Sequence, residues 1–126
     1  MDAVTYLLDN SKYFSTREDG LRLYKCNLSV EERKKSGLKI FMACAICEWK
    51  VIILFPEFDI INAMDIRECI LQHESAHCHG IMDEGEADKY AIERTSEAAY
   101  LRTVEASKQI RDMLGLNKKH VRNVLE

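Results

Sequence analysis

The spacing of apolar positions changes character once along this chain, near Asn62. Before that point the segments are short. Ala3–Phe14 reads as an N-terminal helix, and Ser15–Gly20 as a polar link. Leu21–Ser29 follows as a candidate strand, then a charged helical turn that ends at Gly37. Leu38–Cys44 and Trp49–Phe55 are rich in β-branched and aromatic residues and predict a two-stranded hairpin, stopped by Pro56. After Asn62 the period becomes helical. Ala63, Ile66, Ile70, His73 and His77 follow one another at three and four residues, one face of a helix that Gly80 can end.

Asp83 then offers an N-cap, with Glu86 at capping-box distance, so a second helix is expected from Glu84. Ala87, Ala91 and Ala98 allow it to pack closely against a neighbour. The helical pattern continues, with a break near Thr95-Ser96, to Leu114 and a Gly115 cap. Asn117 introduces a last helix, Lys118–Leu125. The prediction is an α+β fold in one domain, residues 1–126, with a small antiparallel hairpin or sheet and a helical second half.

Composition narrows the functional classes. The 126 residues are 47% hydrophobic and 31% charged with a net charge of −3, ordinary for a globular protein. The balance is unlike that of a chain that binds polyanions over its whole surface. The N-terminus has no long apolar stretch of the kind a secretory signal needs, and the longest aliphatic and aromatic run, Val51–Phe55, is far too short to span a membrane. Five cysteines without a secretion signal predict reduced thiols and a cytoplasmic location. Cys44 and Cys47 have the C-x-x-C spacing, but on a strand residues three apart point to opposite faces, so buried free thiols are expected rather than a chelating pair.

The chemistry concentrates in Leu71–Ala91, "LQHESAHCHGIMDEGEADKYA". His73-Glu74-Ser75-Ala76-His77 has the form H-E-x-x-H. Histidines four apart on a helix project from the same side and can reach one Zn²⁺ at about 2.0–2.1 Å. Glu74, rotated by about 100° from His73, can sit beside the metal as a general base. Catalytic zinc usually keeps three protein ligands, and Glu84 opens the next helix seven residues after His77. Asp88, one turn on, can accept a hydrogen bond from the far nitrogen of a ligand histidine.

H-E-x-x-H followed by "EGEADKYA", Glu84–Ala91, resembles the gluzincin metallopeptidases, especially their small minigluzincin-like members. The resemblance covers about residues 49–95. It implies zinc held by His73, His77 and Glu84, Glu74 as base and Asp88 behind a histidine. It also implies a strand before the active helix, here Trp49–Phe55, that lines the cleft and pairs with an extended peptide substrate. A competing reading, H-E-x-x-H-x-x-G-x-x-D, is similar to the metzincins and would make Asp83 the third ligand. It lacks the downstream methionine turn, since Met113, the only later methionine, lies inside a helical pattern.

Gluzincin proteases commonly add a His or Tyr that stabilises the oxyanion, for which Tyr90, Tyr100 and His120 are candidates. His79, turned about 200° from His77, reads as a surface residue. The last segment, Ser107–Glu126, has a helix-turn-helix-like pattern that would place Lys118, Lys119, Arg122 and Asn123 towards DNA, although Arg111 stands where such motifs carry a small residue. Two functions are therefore expected to compete. One is a zinc metallopeptidase acting on a peptide or protein. The other is a DNA-binding or regulatory protein that uses residues 107–126, with the zinc site as scaffold.

Overall fold

In the computed structural model, which describes residues 2–38 and 40–115, the order is α1 (Ala3–Asp9), β1 (Ser11–Thr16), β2 (Arg22–Cys26), α2 (Val30–Lys35), β3 (Ala43–Ile46), β4 (Val51–Leu54), α3 (Met64–Cys78), α4 (Glu84–Arg94) and α5 (Glu97–Met113). Single 3₁₀ turns at Cys47–Trp49 and Pro56–Ile60 flank β4. The fold is α+β, as expected. The four strands form one mixed sheet in the order β1-β2-β4-β3, with β2 and β4 parallel and the other pairs antiparallel.

The first helix is shorter than its pattern suggested. The Asn10 amide reaches the Leu7 carbonyl, its side chain bonds the Tyr6 carbonyl, and the Ser11 hydroxyl donates to Leu7 O. These groups satisfy the carbonyls a helix end leaves open, and the aromatic pair Tyr13-Phe14 joins β1 instead. Pairing with β2 outweighs a helical reading of those positions.

The hairpin exists, but its first strand begins at Ala43 rather than Leu38. A buried ion pair holds the loop before it. Arg33, on the inner side of α2, makes two bonds to Glu57 at 2.7 and 2.5 Å, and its Nη1 also donates to Ile40 O. Glu57 accepts the Met42 amide at 2.9 Å, and the guanidinium stacks 4.2 Å from the Phe55 ring centre. Both charges are almost fully enclosed, which is tolerable only because each has specific partners. Met42 itself has φ +74°, a left-handed conformation costly for a residue with a side chain, and the Glu57 bond fixes it there.

β4 lies inside the sheet, and all four of its residues are buried. Strand alternation sends Ile52 and Leu54 to the side where Ile66, Ile70 and Ile110 of α3 and α5 pack. Val51 and Ile53 face the opposite side, with Leu7 of α1, Cys26 and Phe55. The expectation that Trp49–Phe55 pairs with an extended substrate is corrected by this topology: the edge beside α3 belongs to β3, whereas β4 is paired on both sides.

The cysteines also depart from expectation. Cys47 is in the 3₁₀ turn, not on the strand, and forms a disulfide with Cys78 at the end of α3, their Cα atoms 4.9 Å apart. Cys26, Cys44 and Cys69 are free thiols. Residues 116–126 lie outside the described residues, and with them His120, the predicted helix Lys118–Leu125 and most of the helix-turn-helix-like segment. The described part of that segment is the end of α5 and the Leu114-Gly115 turn. Among the described residues no helix is long and apolar enough to cross a membrane.

Candidate metal centre

Local chain chemistry sets the geometry of the site. α3 is ended by Gly80 at φ +92°, where a Cβ would be strained, and the turn returns the chain so that the Ile81 amide reaches Ala76 O. The same turn brings the Ile81 carbonyl to His77 Nδ1 at 2.8 Å. Asp83 then caps α4, its Oδ2 accepting the Glu86 amide at 2.9 Å, and Glu84 falls in the first turn. Ala87 and Ala91, with no exposed surface, let α4 lie close against α3.

The consequence is a convergence of donors. Glu84 Oε2 is 3.2 Å from His73 Nε2, and Glu84 Oε1 is 3.0 Å from His77 Nε2. His73, Glu74 and His77 each place one ligand atom within 4.8 Å of the others. On its far side His73 Nδ1 is 2.5 Å from Asp88 Oδ1, and Asp88 Oδ2 accepts the Tyr100 hydroxyl at 3.2 Å. The two imidazoles meet edge to face, with ring centres 4.9 Å apart.

Each imidazole has an oxygen beside both of its nitrogens: Asp88 Oδ1 or Ile81 O at Nδ1, and Glu84 at Nε2. With hydrogen on Nδ1, each Nε2 offers a lone pair beside the Glu84 carboxylate, an arrangement that a cation between them would satisfy. Donor atoms around a tetrahedral zinc ion, bonded at about 2.0–2.1 Å, stand about 3.3 Å apart, close to the 3.0 and 3.2 Å seen here. Two imidazoles and a carboxylate are a donor set that zinc accepts. The residues therefore fit a metal ion.

A cavity of about 570 Å³ opens beside this cluster. His73, Glu74, Glu84 and Asp88 line one part of it, and Ile40, Phe41 and Met42 another. Arg111 of α5 lies over Phe41, 4.1 Å from the ring centre. Cys44 of β3 is close enough to feel Glu74. Burial first, and then that carboxylate, push the thiol up to about 11, so it is a neutral neighbour and not a nucleophile at ordinary pH.

The predicted site residues separate clearly. His73, Glu74, His77, Glu84 and Asp88 come together. Asp83 does not join them, because its carboxylate is used as the α4 cap and its neighbour Glu84 faces the histidines. Tyr90 stacks on His79 under the Arg94 guanidinium in a second hollow, on another side of α3. Tyr100 bonds Asp88. Three features had no signal in the sequence: the Ile81 carbonyl behind His77, the Arg33–Glu57 pair behind the cleft loop, and the Cys47–Cys78 bond. Gly80 was the nearest clue to the first, since a tight turn there must return some carbonyl towards the helix end.

No family model matches this chain, and neither a curated protein nor a solved structure is similar to it at a significant level.

Proposed function

We propose that this chain is a zinc-dependent metallopeptidase that hydrolyses peptide bonds, with His73, His77 and Glu84 as metal ligands and Glu74 as general base. One observation carries the reading: two imidazoles whose Nδ1 atoms already face acceptors turn their Nε2 atoms onto one carboxylate. Zinc, when bound, supplies Lewis-acid polarisation of the scissile carbonyl and acidifies water.

The remaining work belongs to the side chains. Glu74 follows His73 on the helix and lines the same cavity without being needed as a ligand, which suits it to take a proton from water and pass it to the leaving amine. Asp88 and the Ile81 carbonyl hold the two imidazoles in the Nδ1–H tautomer, so that their Nε2 atoms stay available. The open edge of β3, Ala43–Ile46, offers backbone groups to an extended peptide, and the Arg33–Glu57 pair fixes the loop that leads into it.

The test begins with metal content, by plasma mass spectrometry, on protein purified without chelator or affinity metal. About one zinc per chain is expected. Glu74→Gln should keep that zinc and lower cleavage of unfolded casein by at least about 100-fold. A zinc-free wild type that also refuses added zinc, or a Glu74→Gln protein as active as wild type, would end the assignment.

A further inference from the structure

Tyr100 was a candidate for stabilising charge on a substrate, yet its geometry gives it another task. It lies in the first turn of α5, whose N-cap Ser96 accepts the Ala99 amide at 2.9 Å. Its ring packs with Cys69 of α3 and Ala91 of α4, and Ile92 and Val104 close that small cluster. The phenol is 4% exposed and Asp88 5%. The hydroxyl donates to Asp88 Oδ2 at 3.2 Å, and the other oxygen of that carboxylate is 2.5 Å from His73 Nδ1. A phenol has one proton to donate. Spent on Asp88, it is not offered to a substrate oxygen.

From these contacts we infer that Tyr100 is a positioning residue: acting through Asp88, it sets the orientation of His73 and so the affinity of the centre for its metal. This rests on the zinc-site reading above. A carboxylate held at one oxygen can still rotate about its last torsion, which is broad and soft. Held at both, its plane is fixed, and the imidazole it faces is fixed with it. The contact runs from α5 through α4 to α3, so three helices must dock correctly before His73 points at the metal. Loss of a partner behind a ligand histidine typically weakens metal binding about 10–100-fold. Tyr100 stands one contact further out, and a smaller loss follows.

The experiment measures zinc affinity of the metal-stripped full chain, by competition with a fluorescent chelator, for wild type, Tyr100→Phe and Ile92→Ala. Tyr100→Phe keeps the ring and removes only the hydroxyl. Ile92→Ala loosens the same cluster without touching the polar contacts. Tyr100→Phe should bind zinc about 5–20-fold more weakly, with an altered visible spectrum of the cobalt-substituted protein and a metal-free melting temperature near that of wild type. Ile92→Ala should melt earlier and keep both wild-type affinity and the wild-type cobalt spectrum. Tyr100→Phe binding within about twofold of wild type would overturn the inference while leaving the zinc site standing. So would a loss that merely tracks a lowered melting temperature with the cobalt spectrum unchanged. A wild type that binds no zinc would remove the zinc-site reading itself, and this inference with it.

Discussion

Helix α3 carries polar groups on two faces, and the faces are satisfied in different ways. On the back, the Ser75 hydroxyl donates to Asp19 at 2.8 Å, and His79 Nδ1 is 2.8 Å from the Ser75 carbonyl of its own last turn. Asp19 also accepts the Leu21 amide and pairs with Arg17, which in turn bonds Glu68. These contacts join hydroxyl, amide and guanidinium to carboxylates, and the result is a dock for the β1–β2 turn. On the front, His73 and His77 have acceptors on both sides of each ring, Asp88 or Ile81 O behind and Glu84 ahead. Both faces hold histidine beside carboxylate. Residue type does not separate them; the convergence of ligand atoms does. The back joins side chains to one another, and the front gathers two imidazoles around one carboxylate, the donor set the proposed zinc site would use.

The sharpest way to break this contrast is to remove one carboxylate from each face and measure zinc. Glu84→Ala should weaken zinc binding by on the order of 1,000-fold, about 4 kcal/mol, while Asp19→Ala should leave it unchanged. Equal losses would mean that the two faces form one unit. Loss in Asp19→Ala alone would move the metal to the back of the helix.

The two faces meet at Cys78, between His77 and His79, and here the disulfide to Cys47 ties down the end of the helix. Cross-linking positions 31 apart should stabilise the fold by about 3.5 kcal/mol through the unfolded chain, in the loop-entropy model. The pair of changes Cys47→Ser and Cys78→Ser is therefore expected to lower urea stability by about that amount and leave zinc affinity within about threefold, since neither sulfur is among the converging donors. Zinc lost along with the bond would show that the front face needs the tether to exist. Unchanged stability, with intact mass showing all five thiols free in the wild type, would show that the bond does not form.

The helical half was legible because its signals are local. Gly80, Asp83 and the three-and-four spacing of Ile66, Ile70, His73 and His77 each act within a turn or two, and α3 and α4 start and stop within a residue or two of where these placed them. The sheet half was less so. Whether Ser11–Phe14 is helix or strand depends on β2 being present to pair with it, and whether β4 is an edge depends on β2 lying on its far side. Arg33 looked like one more charge in "VEERKKSG"; only the loop that returns Glu57 to it makes it a core residue. The same limit applied at the site. Spacing named the residues that converge, but Tyr100 could be separated from Tyr90 only by where α5 docks.

The smallest effect tests the charge pairing of the back face. Burial works against the charge on Asp19, but the Ser75 hydroxyl, the Leu21 amide and Arg17 outweigh it and hold the carboxyl below its ordinary range. A carboxyl held low in the folded state contributes stability that is full above the unfolded value, about 3.9, and disappears as pH falls through the lower folded value. Asp19→Asn should therefore be less stable than wild type at pH 6 by about 0.5–1 kcal/mol, solvent screening keeping the effect small at this exposed position, measured by urea unfolding with chelator present to keep the metal out. The gap should narrow as pH falls below about 4 and close once pH has passed through the lower folded value. A gap that stayed constant across that range would mean that the Asp19 side chain acts by shape and not by charge, and the contrast between the two faces would lose its electrostatic basis.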